Sequence, residues 1–155
     1  MVNKETILIE GDKKRVWPSK GDVFYFKTSG LKYYFGQVFS DKMSIGPFKN
    51  ALIVCVFNLS SDSVPTEPCL SGSSLLIPPV ITDNSCWKNG VFHTVSSQMV
   101  DESLLKKFLF VNPLNNKAYG LSDGIYEGER NEMILGERSL WFHSEIIKKI
   151  EGALN

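Results

Sequence analysis

Residues 21–39 (GDVFYFKTSGLKYYFGQVF) constrain the fold more than any other stretch. They read as two strands of alternating character joined by a turn at Ser29 and Gly30. Successive strand side chains point to opposite faces, so Val23, Tyr25 and Lys27 share one face and Phe24 and Phe26 the other. A glycine at position 30 permits the positive φ that a tight hairpin favours. Gly36 interrupts the second strand, which predicts a bulge or a strong bend. A bent hairpin curls towards a partly closed barrel. The stretch holds no catalytic group.

The rest of the chain repeats this strand character at short intervals. Residues 6–10 form a short first strand, followed by the basic Lys13, Lys14 and Arg15, which read as a solvated loop. Residues 41–50 read as a loop around Gly46 and Pro47. Residues 51–59 are apolar almost throughout, as in a central strand covered on both faces. A long loop over 60–74 leads to Leu75, Leu76 and Ile77, and Pro78-Pro79 ends sheet pairing there. Further strands are expected over 90–95, 108–111 and 139–143; Asn115-Asn116 reads as a turn into residues 117–121, and residues 133–135 as a short apolar island in a glycine- and acid-rich stretch. Residues 101–106 make one helical turn. Ser144 is placed as the N-cap of a helix over 145–152, whose Ile146, Ile147 and Ile150, with Leu154, form an apolar stripe at spacings of three and four. Many short strands against one or two helices give a mainly β, strand-dominated α+β class. The expected architecture is a strongly bent antiparallel sheet or partly open barrel with a short C-terminal helix. Residues 1–155 read as one domain.

Composition narrows function by exclusion. Lys plus Arg and Asp plus Glu both number 17, so bulk affinity for nucleic acid is not expected, because it needs clustered excess positive charge. The three cysteines, Cys55, Cys69 and Cys86, have no spacing that suggests a disulfide framework or zinc site. Cys55 lies inside an apolar run and reads as a small buried hydrophobe. No apolar run reaches membrane-spanning length and no signal peptide is visible, so a cytoplasmic location is expected.

Candidate chemistry is sparse. His93 and His143 lack partners at metal-ligand spacing, and no phosphate-binding glycine loop occurs, so neither metal nor cofactor is expected. A cysteine- or histidine-dependent enzyme would rest on Cys86, with Lys88 as its local cation, or on His93. A barrel-like nucleic-acid module is the other alternative. The better lead is residues 123–137, where Asp123, Glu127, Glu129, Glu132 and Glu137 face Arg130 alone. Such a segment either is a solvated loop or mates with a basic protein surface, where charge complementarity speeds encounter. Tyr126 within it offers an amphipathic anchor. Tyr33, Tyr34, Phe35, Trp87, Phe92, Trp141 and Phe142 cluster in sequence, mostly as core.

Three segments together resemble the immunity protein 26 family of bacterial polymorphic toxin systems. They are Gly21 to Phe24 followed by Tyr33 to Val38, then Leu76 to Pro79 running into Trp87 to Phe92, and the closing helix over 144–152. The resemblance spans roughly residues 18–153. It implies a β-rich fold and a non-catalytic protein that binds and blocks a toxin domain, frequently a nuclease, as in contact-dependent growth inhibition. These motifs look like fold determinants and carry no binding residues. The strongly acidic balance common among nuclease inhibitors is missing. The residues put forward for toxin binding are Asp123, Tyr126, Glu127, Glu129 and Glu132.

Overall fold

The strand alternation of residues 21–39 becomes one wall of a curled sheet in the computed structural model, which describes residues 4–9, 16–65, 67–121 and 124–155. Among these the chain order is β1 (Ile7–Leu8), β2 (Asp22–Thr28), β3 (Tyr33–Ile45), β4 (Phe48–Ser61), β5 (Val80–Thr82), α1 (Ser85–Lys88), β6 (His93–Ser97), α2 (Glu102–Leu105), β7 (Phe108–Val111), β8 (Ala118–Tyr119), β9 (Ile125–Tyr126), β10 (Ile134–Glu137), β11 (Leu140–Trp141) and α3 (His143–Leu154). Lys13, Lys14, Arg15 and Asp123 lie outside the described residues.

The larger sheet runs β1-β2-β3-β4-β5-β11, and β6 shares the outer edge of β2 with β1. Its pairs are antiparallel except β11, which runs parallel to β5. The register of β3 on β4 shifts repeatedly between Tyr34 and Ile45, beginning at Gly36. Each shift adds local twist, and the sheet curls into a half-barrel. The sequence-expected bend at Gly36 is therefore present. A smaller sheet, β10-β7-β8-β9, packs beside it, with β10 parallel to β7.

Several boundaries differ from the sequence reading, each for a local reason. Gly30 does not supply the left-handed residue of the first turn. Leu31 does, at φ 62°. The Thr28 N–H donates to Lys32 O and the Leu31 N–H to Thr28 O, both at 2.9 Å, so the loop is three residues with its positive φ at the last. Gly30 is small for another reason: its N–H donates to Glu5 Oε2 at 2.9 Å, and the Glu5 carboxylate occupies the space a Cβ would fill. Residues 41–50 are not a loop. β3 and β4 continue through them to a turn at Gly46 (φ 56°) and Pro47. Pro78-Pro79 carries no strand pairing, as expected, but interrupts the sheet rather than ending it: Leu75 makes an isolated bridge with Phe57 before the prolines, and the sheet strand β5 starts immediately after them. Ser144 is not the N-cap of α3. Phe142 holds that position, and its N–H donates to Glu145 Oε2 at 2.7 Å, so a carboxylate three residues on closes the helix start.

Residues 51–57 of β4 are buried on both faces, as the apolar run predicts. Leu52, Val54 and Val56 face a core with Phe24, Phe26, Val38, Trp87, Phe92, Ile146 and Ile150. Ala51, Ile53, Cys55 and Phe57 face a second core with Phe39, Met43, Leu105, Phe108 and Phe110. In the first core Phe24 stacks on Phe92 at 4.1 Å and meets the Trp87 edge at 5.2 Å, while Trp87 Nε1 donates to Thr94 Oγ1 at 2.9 Å. That bond satisfies the indole's polar end, which an aromatic core requires. α3 docks through Ile146 and Ile150, both fully buried. Burial of this kind contributes about 1.5–3 kcal/mol per side chain. The second core is capped by the smaller sheet and α2, and this places the surfaces described next.

Candidate functional site

The acidic segment folds against the outer strand of the smaller sheet. Among the described residues β9 pairs only with β8, so Ile125 and Tyr126 form an edge of that sheet. The Tyr126 hydroxyl donates to Glu129 O at 2.8 Å, closing a tight turn over Gly128. A Cβ at Gly128 would stand 2.7 Å from the Tyr126 hydroxyl oxygen, so any larger residue there must displace the end of the tyrosine ring. Arg130 Nη2 donates to Asn116 O at 2.8 Å and ties the segment back to the turn before β8. Asn131 Nδ2 donates to Glu129 Oε2 at 3.2 Å. The segment is thus a folded loop with its own polar bonds.

Of the sequence-predicted residues, Glu127, Glu129 and Glu132 are exposed and Tyr126 is half-buried. These four belong to one loop. Glu137 is not part of it, because its carboxylate accepts from Trp141 Nε1 at 2.8 Å on the other side of the smaller sheet. Exposed Ile125 adds apolar area beside the carboxylates. The arrangement offers acceptors around an aromatic anchor, which suits contact with a basic surface.

The residues weighed for catalysis are scattered. Cys55 and Cys86 are both buried, and burial pushes each thiol well above its ordinary range, with Asp83 pushing Cys86 further. Lys88 therefore does not prime Cys86 as a nucleophile. Cys69 alone among the thiols is exposed. His93 packs its ring 5.2 Å from that of Tyr25, and His143 Nδ1 takes a long 3.4 Å contact from Asn89 Nδ2. The two histidines are held by different neighbours. Among the described residues no group of three or more His, Cys, Asp or Glu is placed to hold a metal ion. No described helix is long and apolar enough to cross a membrane.

A second feature was not anticipated from sequence. A cavity of about 350 Å³ opens on the side of the second core, lined by Phe39, Phe57 and Leu104 together with Gln37, Gln98 and Asp101. Gln37 sits in the centre of β3 and is only 3% exposed. Its Nε2 donates to Gly21 O at 3.3 Å and Gln98 O at 3.0 Å. Two carbonyl acceptors fix which end of the amide is nitrogen, and so leave Oε1 as the outstanding acceptor. Asp101 caps α2, accepting from the Ser103 hydroxyl at 2.6 Å and from the backbone N–H groups of Ser103 and Leu104. The Ser103 hydroxyl first, and then the Leu104 N–H, hold its carboxyl below the usual carboxylate range, so it is ionised at neutral pH. The available sequence signal was a glutamine amid apolar residues in a buried strand.

A family model described as Immunity protein 26 matches residues 19–120. No curated protein and no solved structure matches the chain. The matched span takes in the first hairpin, β4, the Trp87 segment and both walls of the cavity. It ends before the acidic loop and α3.

Proposed function

The chain belongs to the immunity protein 26 family, and from that membership we propose that it neutralises a cognate bacterial toxin domain by binding it one-to-one and covering its working surface. Membership implies a toxin protein as partner and a role that is typically non-enzymatic. The finer reading is cytoplasmic protection of the producing cell in contact-dependent growth inhibition, against a toxin whose contact surface is basic. A nuclease is the toxin type that fits this reading.

The observation that carries the proposal is the folded acidic loop. Tyr126, Glu127, Glu129 and Glu132 lie at an edge of the smaller sheet, and internal bonds fix the backbone that carries them. A backbone folded before contact loses little freedom on binding, which favours a tight complex over a loose one. A stable interface of this class buries about 1,600 Å² in total, more than the loop alone supplies, so flanking surface joins it. The buried, neutral Cys86 lends the enzyme alternative no support, and the exposed acidic loop lends none to a nucleic-acid module.

The test is co-purification with the toxin domain encoded beside it, followed by calorimetry. The expected result is a one-to-one complex and loss of toxin activity at equimolar ratio. Absence of a complex with that partner would refute the proposal.

A further inference from the structure

The cavity beside the second core contains the wrong chemistry for a void and the right chemistry for a cation with an apolar stem. We propose that it receives an alkylguanidinium group, the side chain of an arginine on the bound toxin; this deepens the toxin-binding reading and rests on it.

Three observations converge on that occupant. Phe39, Phe57 and Leu104 give the cavity apolar walls, which suit a hydrocarbon stem. The Gln37 amide, almost wholly buried, has both N–H groups committed to backbone carbonyls and its oxygen left to accept from whatever enters. Asp101, an exposed residue, lines the same cavity, so a full negative charge stands at its wall. An anion would meet the Asp101 charge and is disfavoured. A neutral apolar group would leave the Gln37 oxygen without a donor.

Arginine fits better than lysine on geometry. Its guanidinium carries five donors in a rigid plane and no acceptor, so one group can serve the Gln37 oxygen and the Asp101 carboxylate together. It is also more weakly hydrated than an ammonium and stacks on aromatic faces such as those of Phe39 and Phe57. A volume of about 350 Å³ far exceeds that of a water and accommodates the whole side chain.

The experiment uses the isolated protein and a small probe, so its outcome is independent of any toxin. Isotope-labelled protein is titrated with N-butylguanidinium, with neutral N-butylurea as the isostere and n-butylammonium as the second cation. Saturable shifts at the Gln37 side-chain amide and the Leu104 backbone amide are expected with butylguanidinium and not with butylurea. Asp101→Asn keeps an N-cap and should weaken the probe about fivefold or more, as loss of a charge-assisted bond does. No saturable shift, an equal response to butylurea, equal affinity for butylammonium, or indifference to Asp101→Asn would each overturn the proposal. Any of these could occur with one-to-one toxin binding intact, so the two failures are distinguishable.

Discussion

The phenyl ring of Phe24 lies over Gly36, its antiparallel partner across β2 and β3. A Cβ at position 36 would meet Phe24 Cε2 and Cys55 O, both at 2.6 Å. The ring is itself held by Phe92 and Trp87, so it cannot swing aside. Gly36→Ala should therefore destabilise the protein by about 1–3 kcal/mol, the range of overpacked cores. Urea denaturation followed by tryptophan fluorescence measures it; an unchanged midpoint would show that the ring is free to move.

The first hairpin turn carries the opposite opportunity. Leu31 is exposed and sits at φ 62°, a conformation that strains residues with a Cβ. Leu31→Asn should raise stability by up to about 1 kcal/mol, because Asn tolerates that region. Gly30→Ala should instead lower stability, since the Glu5 carboxylate must move from where the methyl would sit. Thermal melts of the two variants should shift in opposite directions.

Thiol reactivity and alkaline stability follow from burial. A thiol-labelling reagent should modify Cys69 quickly in the folded protein and reach Cys55 and Cys86 only on unfolding. The folded thiols at 55 and 86 ionise well above the ordinary value of 9.0, so their contribution to stability is intact below that pH and is lost as pH rises past it. The unfolded chain then releases protons that the folded chain retains. Two such thiols predict a loss of about 2.7 kcal/mol per pH unit at most. A Cys55→Ala, Cys86→Ala double variant should show a shallower fall in stability above pH 9.0.

Reversal of charge at Glu127, Glu129 and Glu132 to lysine should slow toxin association about tenfold or more at low ionic strength, with the difference shrinking as salt is added. The side chains are exposed, so the circular dichroism spectrum and melting temperature should hold. Stopped-flow association rates decide it. An unchanged rate at low salt would place the interface elsewhere.

What the sequence made legible was local. The Gly21–Phe39 hairpin, the doubly buried β4 and the apolar stripe of α3 each follow from residue periodicity within one segment. The smaller sheet was not legible as a sheet. β8 and β9 are two residues each, and β10 reaches β7 by a parallel pairing that no neighbouring turn signals. The continuation of β3 and β4 through residues 41–50 was hidden because polar residues on an outlying hairpin resemble a loop. For the candidate site, the acidic character of residues 126–132 was visible in composition, but the bonds that fold the loop depend on Asn116 and on the Tyr126 hydroxyl. The cavity was invisible because Gln37, Gln98 and Asp101 converge only after β2 and β6 pair.

β4 separates two cores yet belongs to both, since alternate side chains along it face opposite ways. Neither core can open alone without baring one side of that strand to water. The molecule should accordingly lose structure as one cooperative unit, with the slowest amide hydrogen exchange along residues 52–56 and a single rate of exchange on either side of the wall under strongly native conditions.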